Sequence, residues 1–599
     1  MKMYRWSVLA ACLFAVCGLA SAGEKLYNGI ELPDDWPPNY LGLEYEEFFN
    51  LPTLKYYAPM PVPYLAHPPE LIPIDVGRQL FVDDFLIENT QLKRVWHRPE
   101  YHPACPLIRP DKPWELNPDE KVQWAMPFSH GAWYDPSDGL FKLWYLGGMK
   151  TLYAVSKDGV HWEKPSLEVV PGTNIVVDLV DSGAASTTVW LDHNETDPAR
   201  RFKRWRSQAR SFPGVPGYNA VSELRFSPDG IQWTDPVWTS GIVSDRTTVF
   251  FNPFRDVWVY SIKLRPTIAR EDERQLAHVR SRAYHETRDV LAPWNTEDIV
   301  PWLGADKLDL CRNSTIHRQV LEGQQLYNLD AVAYESVMLG LLAIFHDDGT
   351  GPKGRWHHND LTVAFSRDGF HWDRRNREPF LGPGSDKNGW NWTNIQSAGG
   401  CCLVVGDKLY FYCSGRNNKE GCTGLATLRR DGFASMKAGE EEGVLITRPV
   451  TFSGKHLFVN ADASGGELRV SIMQEDLSDF HDRSSKVLEP FTAENCEPIR
   501  SDSTIQRVTW KGASDLSALA GKPVRFRFHL KDGSLYSFWV SPDETGASHG
   551  YVAAGGPGFT GDKDTVGAAA YEAANAVTNR GNPSVGPTNV QSDDSAGAQ

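Results

Sequence analysis

The phrase Ser-x-Asp-Gly-x-x-Trp occurs three times in this chain, as SKDGVHW at 156–162, SPDGIQW at 227–233 and SRDGFHW at 366–372. Each copy closes a stretch in which apolar and polar residues alternate, the pattern of a strand with one buried face. The Asp-Gly pair makes a tight turn: the glycine supplies positive φ, and the aspartate oxygen accepts a local backbone N–H. The Trp then falls on the returning strand, where its ring can wedge against a neighbouring sheet. The first two copies start 71 residues apart and the next two 139, nearly twice as far, which predicts a worn copy between them. SRAYHETRDVLAPW at 281–294 occupies that place, and LRRDGFAS at 428–435 reads as a degraded fifth. A further strand pair precedes each copy. Five units of about four strands predict an all-β fold, a five-bladed β-propeller. A phrase present once per unit is a folding device, so function must lie in residues that differ between units.

The rhythm changes after residue 440. GKPVRFRFHLKDGSLYSFWV at 521–540 alternates without the phrase, which predicts a β-sandwich over 441–545 following a propeller over 74–440. Residues 23–73, rich in Pro and Tyr, read as an extended lead-in, and 546–599, rich in Gly, Ala, Ser and Asn, as a disordered tail. At the start, Lys2 and Arg5 precede an apolar run, and Ala20-Ser21-Ala22 offers small-residue cleavage. Residues 1–22 are thus expected to be a signal peptide cut after Ala22, placing the protein in the periplasm or outside the cell. No later segment offers about 20 apolar residues to span a bilayer. The net charge of −15 argues against a nucleic-acid partner, which needs a basic surface. Beyond the signal, seven cysteines remain: Cys105, Cys311, Cys401, Cys402, Cys413, Cys422 and Cys496. Their number is odd and no spacing suits a zinc site, so no metal or cofactor is expected and most read as small buried hydrophobes.

Propeller pockets form where innermost strands converge, so polar residues at such positions are the candidates for chemistry. Asp83 and Asp84 interrupt the apolar run RQLFVDDFLIE, which is expected to join the seam between first and last blades. Strand parity sends the two carboxylates to opposite faces, leaving open which one faces the funnel. Asp245 stands beside Arg246 at the start of an inner strand, and Asp330 and Glu335 lie in YNLDAVAYESVML. Glu335, flanked by apolar residues, is expected to be desolvated, with the raised pKa that a general acid needs. Trp390, Trp392, Asn394 and Gln396 enter the last blade with Arg416 close behind, a set able to stack on and hydrogen-bond a sugar. His130 either lines the funnel or is a core histidine. His456, Asn460 and Arg469 sit on ordinary alternating strands and are expected to support rather than catalyse.

With its five-unit rhythm, its opening RQLFVDDFLIE and its S-x-D-G-x-x-W phrases, the chain resembles the furanosidase-type five-bladed propeller glycoside hydrolases. Among them it is most similar to exported bacterial proteins carrying a glycosyl hydrolase family 32 N-terminal-like domain and a trailing β-sandwich. The resemblance covers about residues 74–545. It implies a carbohydrate substrate, with an aspartate of the first blade as nucleophile or base (Asp83 or Asp84), Asp245 as transition-state stabiliser and Glu335 as acid. The family's W-M-N-D-P-N-G, R-D-P and E-C motifs have only FVDDFLI, SDRTT and YESVM as counterparts here. A non-catalytic carbohydrate-binding propeller is the alternative; it would keep an aromatic pocket without two facing carboxylates.

Overall fold

The computed structural model describes residues 23–39, 59–117, 122–177, 186–212, 220–264, 267–269, 276–278, 280–306, 308–309, 324–346, 358–474 and 486–580. The expected signal peptide and Cys311 lie outside them. The regular structure is almost entirely β-strand. Five sheets, here A to E, follow one another along the chain. Their innermost strands are β1 (Met126–Asp135), β2 (Thr187–Leu191), β3 (Thr248–Asn252), β4 (Gln324–Glu335) and β5 (Gln396–Ser397). β1 lies against β2, β2 against β3 and β3 against β4, while β5 touches sheet D on one side and β1 on the other. The series is therefore closed.

The repeated phrase clasps neighbouring sheets. In sheet A the Ser156 hydroxyl accepts the Gly159 N–H at 2.9 Å, and Asp158 Oδ1 accepts the N–H groups of Val160 and His161 at 2.8 and 2.7 Å. The same bonds recur at Ser227/Asp229 in sheet B and Ser366/Asp368 in sheet D. The three turn glycines have φ of 77°, 77° and 85°. Each turn receives a donor from the adjacent sheet: Trp144 Nε1 reaches Gly230 O at 2.7 Å, Trp302 Nε1 reaches Phe370 O at 2.8 Å, and Tyr412 Oη reaches Gly159 O at 2.6 Å. An indole or phenol otherwise buried with an unpaired donor is satisfied there, so the phrase fixes sheet to sheet.

Closure differs from the expectation. The outer edge of sheet E is completed by Val122–Trp124, parallel to Glu420–Gly421, and by Glu100–Tyr101, antiparallel to Ala426–Thr427. Residues 78–88 go elsewhere. Gln79–Leu80 pair with Gly533–Ser541, and Ile87–Thr90 with Gly443–Thr447, in two six-stranded sheets that form a second unit. Phe81 explains this: it stacks on Phe538 with ring centroids 5.7 Å apart, inside a second core shared with Phe526 and Phe528. Ala434–Ala438 also joins the second unit, so its first strands come from both sides of sheets A to E and the boundary at 440 does not describe it.

The tail expected to be disordered from 546 is ordered to residue 580. Tyr551–Val552 adds to β4, Ala554 O accepts the Tyr134 N–H of β1, and helix α1 (Ala569–Arg580) follows. Its small residues serve close approach rather than disorder: a Cβ on Gly556 would stand 1.8 Å from Val404 O, and one on Gly550 2.2 Å from Glu335 Oε2. This segment lies across the C-terminal ends of the inner strands, beside a small cavity lined by Trp133, Trp190, Phe251, Val332 and Tyr551. The described cysteines, Cys105, Cys401, Cys402, Cys413, Cys422 and Cys496, are free thiols. No helix among the described residues is long and apolar enough to cross a membrane.

Candidate functional site

At the N-terminal ends of the five inner strands, one group of buried polar side chains converges, drawn from every sheet. Sheet A supplies Ser129. The start of β1 carries a bulge, and Phe128 and Ser129 have φ of 44° and 69°, left-handed values that cost of order 1–3 kcal/mol each for residues other than glycine. The bulge is held by Phe128 N–H on Ser414 Oγ at 2.9 Å, and it turns the Ser129 hydroxyl inward. From sheet D, Asp330 Oδ2 accepts Ser129 Oγ at 2.8 Å and Asn328 Nδ2 at 3.1 Å, and from sheet E it accepts Ser397 Oγ at 2.5 Å. Among the described residues no donor reaches its second oxygen, Oδ1. Arg246, leading into β3, donates to Gln396 Oε1 at 2.7 Å, Ser129 Oγ at 3.1 Å and Phe128 O at 3.3 Å, and lies 3.5 Å from Ser186 Oγ of sheet B. Its guanidinium stacks 4.0 Å from the Phe128 ring centroid.

The electrostatics separate two carboxyls. Burial pushes Asp330 above the ordinary aspartate range, against the pull of Ser397, Arg246 and Ser129. Asp245, at the rim beside Arg246, is pushed up by burial too, but the Lys263 ammonium bonded to it brings its carboxyl below that range. His130 is held neutral: burial, with Arg204 and Arg246 nearby, pushes it down to about 3. Among the described residues no group of three or more His, Cys, Asp or Glu stands in a metal-holding arrangement.

Of the sequence candidates, Asp245, Arg246, Asp330, Gln396 and His130 come together here. Glu335, five residues beyond Asp330 on the same strand, does not. It lies at the contact with the second unit, where its Oε2 accepts the Arg78 N–H at 3.1 Å and Ser548 Oγ at 2.7 Å. Its Oε1 faces Arg430 Nη2 at 3.1 Å and Arg78 Nε at 3.4 Å. Arg78 and Arg430 also pair with Asp431 and Asp564, and every one of these side chains is fully buried. Burial does raise the Glu335 carboxyl, as expected, but Arg430 and Arg78 oppose the rise and enclose it. Asp83 is likewise buried in an ion pair with Arg367 at 2.7 Å, tying the second unit to the phrase of sheet D. Asp84 has a side chain 58% exposed, paired with Arg94 and Arg375. Neither aspartate joins the central group.

The aromatic expectation divides as well. Trp390 packs edge-on to Tyr101, with ring centroids 5.5 Å apart, over Gly415 and Gly424, where any Cβ would collide with its ring at 2.4 and 2.0 Å. It is a wedge on sheet E. Trp392 is buried, and Arg416 lies over Trp124 at 5.7 Å. Of the supporting residues, Asn460 donates to Asp431 in the interunit network at 3.0 Å. Sequence reasoning missed Ser129, Asn328 and Ser397, which are neutral and carry no charge signal; the one hint was polar Ser-His-Gly inside an apolar strand.

Neither a protein-family model nor a curated protein matches the sequence. Solved structures do show likeness. A glycosyl hydrolase from Bacteroides ovatus aligns at 13% identity and TM-score 0.35, over 59% of this chain and 97% of that one. A GH32 β-fructofuranosidase from Bombyx mori aligns at 12% identity and TM-score 0.34, over 74% and 94%. An endo-arabinase from Bacteroides thetaiotaomicron aligns at 12% identity and TM-score 0.32, over 51% and 94%. The chemistry of this chain has to be argued from its own residues.

Proposed function

We propose that the chain is an exported glycoside hydrolase, a five-bladed β-propeller with a β-sandwich, cleaving a poly- or oligosaccharide with Asp330 and Asp245 as its two carboxyls. The observation that carries this reading is their divergence at one convergent centre: burial raises Asp330, while Lys263 lowers Asp245. Two carboxyls pushed apart by their surroundings are suited to acid and base roles at one pH. Asp330, protonated, donates its proton to the glycosidic oxygen as the bond to the anomeric carbon breaks. Asp245, ionised, attacks that carbon directly or takes the proton of the attacking water, according to whether the carboxyls stand about 5 Å or about 6.5–9.5 Å apart around the substrate. Ser129, Ser397 and Asn328 orient Asp330 and are positioning residues. The cyclic contacts of sheets A to E and the separate second core support the architectural reading.

The test is release of reducing ends from a panel of plant and algal polysaccharides and chromogenic glycosides. Wild type should release sugar from at least one, and Asp330→Asn and Asp245→Asn should abolish that release while still binding. Tight binding with no release by wild type would instead support the non-catalytic carbohydrate-binding reading.

A further inference from the structure

Among the described residues two sets of buried arginines contrast. Arg78, Arg430, Arg367 and Arg374, away from the convergent centre, each face a carboxylate. Arg246, Arg282 and Arg204, at or beside the centre, are equally buried, yet among the described residues none forms an ion pair. Arg282 is held by Ser261 Oγ at 2.9 Å, by the Ser261 carbonyl and by the Tyr327 carbonyl at 3.4 Å, and Arg204 by Thr151 Oγ1 at 3.1 Å. Among the described residues no partner reaches the buried Nε of Arg246 or the buried Nε and Nη1 of Arg204. Burying a cation without a counter-charge is costly. The cost is visible in Arg204 and Arg282, which burial pushes down to about 9.

These cations extend outward around one ring. Tyr327 is half-buried at a bulge in β4, and Arg246, Lys263 and Arg280 stand 5.5, 5.6 and 5.6 Å from its centroid. Positive charge is thus concentrated around this half-buried ring beside the centre, in a protein whose net charge is −15. Among the described residues the carboxylates acting on these cations are Asp245, bonded to Lys263, Asp330, whose Oδ2 is occupied by neutral donors, and Glu223 near Arg204.

We propose that the carbohydrate taken by this centre carries an anionic substituent, a carboxylate or a sulfate ester, seated against Arg246 and Arg282 with Lys263 and Arg280 at the rim. The inference rests on the hydrolase reading for the location of the sugar, not for the charge. A planar carboxylate or a sulfate would supply the missing counter-charge by charge-assisted hydrogen bonds, with the Tyr327 ring beside the sugar face.

The test uses the full chain with oligogalacturonides, a sulfated galactan oligosaccharide, its desulfated counterpart and a neutral galactan oligomer, measuring affinity and sugar release at low and high salt. At least one charged probe should bind roughly tenfold or more tighter than its neutral match and lose that advantage at high salt. Preference for the uronate or for the sulfate ester identifies the group. Arg280→Gln, with circular dichroism to confirm folding, should lower affinity for the charged probe several-fold and leave the neutral one unchanged. Neutral oligosaccharides bound or cleaved as well as charged ones would overturn the inference and leave the hydrolase reading standing. Charged probes bound in a salt-sensitive way but never cleaved would support the inference and sink the hydrolase reading. No binding of either class would overturn both.

Discussion

Asp330 and Glu335 are on the same strand, five residues apart, both buried, and they belong to different chemistry. Glu335 is enclosed by two guanidiniums, the Ser548 hydroxyl and a backbone N–H at the junction of the two units. Asp330 is held on one oxygen by hydroxyls and an amide at the convergence of five sheets. Removing one carboxylate from a buried network of two arginines and three acids breaks charge-assisted bonds that join the two units, so such a group is part of the fold. Neutral donors orient a carboxyl while leaving its proton free to move. What surrounds a buried acid therefore says more about its role than how deeply it is buried.

The largest effect that would break this contrast is on turnover. Asp330→Asn should lower kcat by about 10²–10⁴, since the amide cannot give up a proton equivalently. Steady-state rates on whichever glycan wild type cleaves, with circular dichroism to confirm folding, check it. Glu335→Gln should act on stability instead, by about 1–3 kcal/mol, because it breaks charge-assisted hydrogen bonds in a buried network whose arginines keep Asp431 and Asp564. Chemical denaturation reads that loss, while activity per folded molecule stays at the wild-type level.

The contrast also explains how much was legible in sequence. Period-two alternation and the S-x-D-G-x-x-W spacing located the third strands of sheets A, B and D and the worn copy in sheet C, because turn chemistry is local. Asp245, Arg246, Asp330 and Gln396 stand out in sequence as polar residues on or entering inner strands. Glu335 and Asp83 looked equally good, since an acid in an apolar run reads the same whether its partner is a substrate or an arginine several hundred positions away; Arg367 is 284 residues from Asp83. The 546–580 segment reads as disordered in sequence for a related reason. Gly and Ala lower hydrophobicity, but they also let backbone pass within contact of β4 and Val404, and only tertiary packing distinguishes the two uses.

Smaller effects sharpen the comparison. Gly230→Ala places a methyl 2.3 Å from Trp144 Cζ2 at a residue with φ of 77°, so it should cost about 1–3 kcal/mol in thermal or chemical denaturation with little change in kcat. Ser129→Ala removes one donor to the ionised form of Asp330, which raises that carboxyl further. The acid-dependent limb of the rate profile should move to higher pH, readable in kcat against pH. Smallest is a stability effect of Asp330 itself. Its folded pKa lies above its unfolded one, so ionisation costs stability as pH rises from the ordinary aspartate range through the folded value. Asp330→Asn should therefore melt slightly higher than wild type near neutral pH, and the gain should vanish below the unfolded pKa.

One paired measurement bears most directly on where the chemistry resides: sugar release per folded molecule by Asp330→Asn and by Glu335→Gln, each beside its denaturation midpoint. The expected result is a folded, inactive Asp330→Asn and a destabilised Glu335→Gln whose folded fraction works at the wild-type rate. An active Asp330→Asn, with a Glu335→Gln that is inactive at an unchanged midpoint, would contradict it and return the catalytic acid to the junction of the two units.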